Sequence, residues 1–377
     1  MAIATGWAFR GLLGAALAGA GGVDVAEIEF RPVRPAVLGF EIERQVDGDL
    51  HRLVRSDRRE LPLASGTRDG CEEALVRAIE REHGRGLLNV PFPTMGARQL
   101  WADVFWYADW RIQRNALTGH HRLLDGRNIR RAWGSYAACR TVFEGRRLRR
   151  ALRPTRGHLV VLVHGLGRSS GSFAKLEDEL RAAGFSTAAV SYPSTRAPLA
   201  EHVERLEMLL DALEGAERVS FVTHSLGGLV ARGVLAREGA WKRRIHPGKI
   251  VMLAPPSRGA SMARLVQRVF PLRLLLGPSL RDIARLEDAN LPAPSVPFGI
   301  IAAGRGRSDP GTADRARGGG WNPLIPGDDD GLVGVDEARL EGAADFLRVP
   351  GLHTFIMKDR EVIRAVLRFL EAGRFGE

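Results

Sequence analysis

From residue 159 onward the chain repeats one hydrophobic rhythm. Short apolar, β-branched runs end at glycine or polar clusters, and most give way to stretches with apolar residues three and four apart. The runs predict buried strands over 159–164, 186–192, 219–223, 249–254, 297–303 and 344–349. The stretches predict helices over 171–183, 200–213, 226–238 and 361–369. In 200–213 the stripe is complete, with Val203, Leu206, Leu209, Leu210 and Leu213 on one face. Strands alternating with helices bury both faces of a sheet. Residues 154–377 are therefore expected to form an α/β domain with a mostly parallel sheet flanked by helices.

The preceding residues, 24–153, read as an α+β extension. Apolar and polar residues alternate in places over 36–64 around Val46-Asp47-Gly48-Asp49, and Asp-Gly between two such runs predicts a hairpin. Ala74, Leu75, Ala78 and Ile79 then change the period and predict a helix over 70–83. Over 96–116, Leu100, Trp101, Val104, Phe105, Tyr107, Ala108 and Ile112 stand at helical spacing, with Trp106 and Trp110 beside them. This predicts an aromatic helix packed in a core or, alternatively, lying in a membrane interface. Residues 127–153 hold nine arginines and one acid, Glu144, mostly in a second helical stretch over 130–152. A solvated helix face is expected there, with contact to anionic lipid headgroups as the alternative. Residues 1–23 carry a single charge, Arg10, and an apolar run from Gly11 to Val23. That run is shorter than the ~20 residues a membrane span takes. It is expected to be either a processed signal or loose anchor, or a disordered or locally packed N-terminus. Cytoplasmic and exported or membrane-associated locations both stay open.

Composition changes this picture little. The 377 residues suffice for one large domain or two, and 45% hydrophobic with 26% charged residues describes an ordinary globular chain. A net charge of +11 suggests an anionic partner, but 51 of the 55 basic residues are arginine, spread along the whole chain. The bias is one of residue usage rather than of a single binding face. No zinc-finger, RNP or other reader motif is present, so no nucleic acid partner is expected. Cys71 and Cys139, the only cysteines, fit neither a metal spacing nor a disulfide framework. His120 and His121 are adjacent and cannot share a helix face as i, i+4 metal ligands do, so no metal site is expected there.

Two landmarks carry chemistry. LVVLVHGLGRSSGSF (159–173) ends an apolar run in His164-Gly165-Leu166-Gly167, and about sixty residues later VSFVTHSLGGLVAR (219–232) breaks at His224-Ser225-Leu226-Gly227-Gly228. Strand, small-residue turn and helix, with Ser225 at the turn, is the setting of a nucleophile elbow. The Oγ is held out at the carboxyl end of a strand, and the backbone N–H of Leu226 sits at a helix N-terminus, where it can face developing negative charge. The glycines flanking Leu166 let its N–H turn inward as a second donor. Both landmarks lie just past strand ends, where open α/β sheets form their sites.

The pair resembles the α/β-hydrolase superfamily, and within it bacterial lipases and esterases. The likeness rests on Val-His-Gly-Leu-Gly at 163–167 and His-Ser-Leu-Gly-Gly at 224–228, and spans roughly 157–372. Thr223 departs from the usual Gly-x-Ser-x-Gly, standing where its first glycine belongs. The resemblance implies a Ser, acid, His order along the chain. Of the two histidines after the elbow, His246 precedes a strand and His353 follows the last one, so His353 is the expected base. His224 diverges from its neighbour Ser225 and is expected to be structural, and His164 to support the oxyanion loop. Asp328-Asp329-Asp330-Gly331-Leu332-Val333 ends in Asp-Gly-Leu-Val, which resembles the acid loop of bacterial lipases. That match makes Asp330 the acid, with Asp328, Asp329 and Asp336 in reserve. The same carboxylates read equally as an acidic turn or a hard-cation site, so no cofactor is required while calcium stays open.

Two long segments complete the reading. Residues 261–291 carry more apolar surface than a connector needs, as a lid or acyl-pocket wall would, or a core helix with its loop. Residues 304–329 form a long Gly-, Pro- and Asp-rich loop beside the expected acid. The expected activity is that of a serine hydrolase cleaving carboxylic esters, lipid or acyl esters in particular, through Ser225, His353 and Asp330. The same triad would serve a thioesterase or acyltransferase. A catalytically silent, membrane-associated scaffold is the rival from another class, and peripheral membrane contact stays open.

Overall fold

The computed structural model describes residues 28–83, 92–93, 99–286, 291–306 and 319–376. The expectation for residues 1–23 lies outside the described residues, as do 287–290 and 307–318 of the two long segments. The described residues open with an antiparallel sheet of β1 (Phe30–Pro32), β2 (Phe40–Gln45), β3 (His51–Arg55) and β4 (Ala64–Gly66), followed by α1 (Arg68–His83). The Asp47-Gly48 hairpin is β2–β3, with Ile42 opposite Leu53. Leu75 and Ile79 of α1 pack on that face.

A second antiparallel sheet contains β5 (Phe92–Pro93), β6 (Trp101–Tyr107), β7 (Trp110–Asn115), β8 (His121–Leu124) and β9 (Ile129–Gly134), in the order β5-β9-β8-β7-β6. It corrects the aromatic helix: residues 101–115 are a hairpin. The helical reading failed because β6 is buried on both faces, so it lacks the period of two that marks a half-buried strand. Phe105 and Tyr107 pack edge-on against Phe143, at 4.9 and 5.2 Å between ring centres, while Trp106 enters the core under the parallel sheet. A bulge between Asp103 and Phe105 breaks the alternation further. The turn uses Ala108 at φ 49°, without the Asn-Gly or Asp-Gly that would announce it.

The arginine-rich stretch is also not one helix. β9 takes up its start, and α2 (Tyr136–Arg149) begins only after Ser135, whose side chain accepts the Ala138 N–H. Nor is its basic face wholly solvated. Glu144, 2% exposed, gathers Arg34, Arg140 and Arg147 at 3.2, 2.6 and 3.4 Å. Arg147 also meets Glu72 of α1 at 3.3 Å, and Arg34 and Arg147 approach Glu214 at 3.6 and 3.7 Å.

The remaining elements alternate as expected: β10 (Gly157–Val163), α3 (Ala174–Ala182), β11 (Ser186–Val190), α4 (Leu199–Asp211), β12 (Ala216–His224), α5 (Leu226–Ala236) and β13 (His246–Leu253). Then come α6 (Ser261–Val266), α7 (Phe270–Ala284), β14 (Phe298–Gly304), α8 (Val335–Ala338), β15 (Asp345–Pro350) and α9 (Arg360–Ala372). The strands form one six-stranded sheet, β11-β10-β12-β13-β14-β15, parallel throughout. Leu159, Val161 and Val163 face a core shared with α4 and α5, while Val160 and Leu162 face a second core shared with α3 and α9. Burial on both faces is why these strands read as unbroken apolar runs. Strand order reverses between β10 and β12, so a crevice is expected outside their carboxyl ends. Among the described residues no helix is long and apolar enough to cross a membrane.

Burial pushes the Glu144 carboxyl up, but Arg34, Arg140 and Arg147 outweigh it and hold its pKa below the ordinary 4.5. A carboxylate depressed on folding contributes stability that is fully present above its unfolded pKa and is lost as pH falls through the folded value. Glu144→Gln removes the carboxylate that three buried cations share, leaving Glu72 and Glu214 at the edge of the network, and should cost about 3–5 kcal/mol at neutral pH. Urea unfolding should show this deficit at about pH 7, and show it narrowing once pH drops below about 4.5, where the wild type loses the same contribution.

Candidate active site

β12 passes into α5 through Ser225, whose backbone sits at φ 51°, ψ −124°. L-residues avoid this region at a cost of roughly 1–3 kcal/mol, so the surroundings must enforce it. The Ser225 N–H donates to the Leu253 carbonyl at the end of β13, and the Gly228 N–H donates to the Ser225 carbonyl, both at 2.9 Å. Small neighbours are needed as well. A Cβ on Gly227 would run into the Val163 carbonyl, and one on Gly165 would lie 2.9 Å from the Ser225 Cβ. The two glycine-containing motifs thus form one contact, the loop after β10 lying directly on the elbow. Thr223, the departure from the family pattern, is buried and donates its hydroxyl to the Val251 carbonyl at 3.4 Å.

His353 follows β15. Its Nδ1 lies 2.7 Å from Asp330 Oδ2, and its N–H donates to the Asp330 carbonyl at 2.9 Å. The other carboxylate oxygen, Oδ1, accepts the N–H groups of Leu332 and Val333 at 3.0 and 2.8 Å. Both side chains are buried, Asp330 at 2% exposure and His353 at 6%. An acceptor fixed on Nδ1 places the neutral ring's proton there and leaves Nε2 with its lone pair. His224 lies behind this pair, donating from Nε2 to the His353 carbonyl at 3.0 Å. Burial first, and then the nearby His353, holds its pKa well below the ordinary 6.5, so it stays neutral and braces the backbone of His353.

The other acids of the loop point elsewhere. Asp328 accepts the N–H groups of Arg305 and Asp329 and pairs with Arg348. Asp329 accepts the N–H groups of Asn322 and Gly331, and Asp336 is an exposed partner of Arg339. Three adjacent carboxylates therefore diverge. Among the described residues no group of three or more His, Cys, Asp or Glu side chains is arranged to hold a metal ion.

The loop after β10 is fixed by His164, whose Nδ1 donates to the Gly165 carbonyl at 2.9 Å and whose Nε2 accepts the Tyr192 N–H at 3.4 Å. Burial brings this imidazole down to about 4, so it is neutral in that tautomer. Tyr192 stacks on it at 4.3 Å, and its hydroxyl bonds the His164 carbonyl. Ser225, His353 and Leu166 open on one cavity of about 200 Å³. Met262, Ala263 and Val266 of α6 and Leu276, Leu280 and Ile283 of α7 supply its apolar wall. α6 and α7 thus wall the cavity, and α7 is bent at Gly277, where it leaves helical geometry at φ 71°. Arg168 lines the same cavity. Neither it nor Tyr192 announces itself in the sequence, because each earns its place by contacts between distant segments.

Residues 160–373 match the model of the alpha/beta hydrolase family. Similar solved structures include the mature lipase BlEst2 of Bacillus licheniformis, 18% identical with a TM-score of 0.45, covering 57% of this chain and 91% of that one. The monoacylglycerol lipase of Paleococcus ferrophilus is 18% identical with a TM-score of 0.38, covering 57% and 94%. A metagenomic carboxyl esterase is 18% identical with a TM-score of 0.38, covering 54% and 66%. No curated protein matches the chain. The matched family region takes in almost the whole parallel sheet, the elbow, Asp330 and His353, and the chain belongs to the alpha/beta hydrolase family.

Proposed function

We propose that this protein is a serine hydrolase that cleaves carboxylic esters through an acyl-enzyme, with an apolar acyl group in its substrate. The observation that carries this reading is the buried His353–Asp330 pair opening on the same cavity as a serine held in strained backbone geometry. His353 Nε2 takes the Ser225 proton as Oγ attacks the ester carbonyl, and Asp330 holds the ring's orientation and favours the imidazolium that forms. The tetrahedral oxyanion is held by the N–H groups of Leu166 and Leu226. The first donates to no other group among the described residues, and the second, as the first residue of α5, has no intrahelical acceptor. His353 returns its proton to the leaving alcohol, then activates a water that attacks the acyl carbonyl. Collapse of that second intermediate frees the acid and restores Ser225.

The wall of α6 and α7 supports an acyl rather than a polar substituent on the carbonyl side. A buried methylene contributes about 0.8 kcal/mol, so kcat/KM should rise roughly threefold to fourfold per added carbon until the cavity is filled. A p-nitrophenyl ester series from short to long acyl measures this. Ala263→Phe should move the optimum to shorter chains, and an optimum that stays put would take the acyl group out of this cavity.

Ser225→Ala should abolish turnover and labelling by a fluorophosphonate probe while leaving thermal unfolding nearly unchanged. A wild type inert to every ester and to the probe would end the serine-hydrolase reading. Asp330→Asn keeps the shape but loses the carboxylate that selects the tautomer, and should lower kcat on the order of 10³- to 10⁴-fold with little change in KM.

A further inference from the structure

The N-terminal extension reaches the site. The geometry points to Gln99 as a positioning residue for the oxyanion loop, which makes residues 99–103 a strap that the active site needs. This inference rests on the ester-hydrolase reading above.

Gln99 lies two residues before β6 and spends every polar group of its side chain on the parallel-sheet part of the molecule. Its Nε2 donates to the Arg168 carbonyl at 2.7 Å and to Ser194 Oγ at 3.0 Å. Its Oε1 accepts the Thr195 N–H at 2.9 Å and the Thr195 hydroxyl at 3.0 Å. Ser194 is fully buried, and its Oγ also accepts the Gly167 N–H at 3.0 Å. One amide therefore holds the loop on the far side of Leu166, directly at Arg168 and through one hydroxyl at Gly167. On the near side the Gly165 carbonyl is held by His164 Nδ1 and by the Arg168 N–H at 3.2 Å. Both flanks of Leu166 are pinned while its own N–H stays available.

Asp103 repeats the arrangement four residues later. Its carboxylate accepts the Ser191 N–H at 2.6 Å, and its N–H donates to the Ser191 carbonyl at 2.8 Å. Ser191 Oγ then meets Ser170 Oγ at 2.9 Å, where the oxyanion loop ends. Gln113 of β7 steadies Asp103 through a 2.7 Å bond to its other oxygen. The backbone at Gln99 lies at φ 55°, a conformation an L-residue adopts at a cost of about 1–2 kcal/mol and keeps only where its surroundings demand it. A preorganised donor works because it is already aimed before charge develops, and an ångström of misplacement costs on the order of 100-fold. The strap supplies that aim.

The test uses the full chain, a soluble p-nitrophenyl ester and the fluorophosphonate probe. Gln99→Ala should lower kcat on the order of 10- to 100-fold with KM within threefold of wild type, and slow probe labelling in parallel. Ser194→Ala, a smaller change at the middle of the relay, should give a similar loss and keeps the test open should Gln99→Ala not fold. In the double variant the losses should not add, as expected of groups in one network. Gln99→Glu keeps the acceptor for Thr195 but turns the donor toward Arg168 into a carboxylate facing a carbonyl. Its kcat relative to wild type should recover as pH falls from about 8 to about 5, when the carboxyl gains the proton that restores the donor. A group that only pins the N-terminal segment would give no such pH-dependent ratio. If the wild type labels and turns over while Gln99→Ala and Ser194→Ala stay within twofold of it, Gln99 loses this role and the serine hydrolase stands. If the wild type is inert, both readings fall together.

Discussion

The arrangement depends on one close approach, the N-terminus of α5 lying against the carboxyl end of β10. Gly227 has no room for a Cβ beside the Val163 carbonyl, and Gly165 has little beside Ser225. This contact forces Ser225 into its strained backbone and brings the loop around Leu166 beside it. The strain is held by ladder-end hydrogen bonds to Leu253 and within the turn, so a local cost of about 1–3 kcal/mol is carried by a sheet buried on both faces.

The remaining groups converge because strand ends converge. Asp330 and His353 leave the sheet after β14 and β15 and meet through both a side-chain bond and a backbone bond. His224, from β12, closes the circle by donating to the His353 carbonyl. Two of the histidines around the crevice serve structure and one, paired with Asp330, faces the serine's cavity. His164 and His224 are kept neutral deep inside and hold backbone, while His353 alone combines a carboxylate partner with a place on the cavity.

Besides the hydrogen bonds of Gln99 and Asp103, two unlike devices bind the N-terminal residues to the hydrolase core. One is apolar: Trp106 crosses into the core beneath α4. The other is ionic: Glu144 among Arg34, Arg140 and Arg147, with Glu72 and Glu214 at its edge. A buried ion network of this kind adds less net stability than its contacts suggest, yet it penalises any packing that leaves a charge unpaired. The network joins the α1, α2 and post-α4 segments, while Gln99 and Asp103 reach the loop after β10 and the end of β11.

The sequence by itself determined the parallel core and the outline of the site. Strand, turn and helix at Ser225 is a local pattern, and the runs in β10 and β12–β14 are buried on both faces by neighbours of the same kind. Chain order after the elbow points to His353, and the resemblance of Asp-Gly-Leu-Val to the acid loop of bacterial lipases singles out Asp330 from its neighbours. Tertiary structure decided what local pattern could not. β6 looked helical because its two faces meet different partners and its turn at Ala108 lacks glycine. Arg140 and Arg147 looked solvated because their counter-charge shares their own helix while the rest of the network comes from far along the chain. Gln99 carried no signal at all, since its side-chain hydrogen bonds to residues about 70 and 95 positions away exist only after the two sheets have docked.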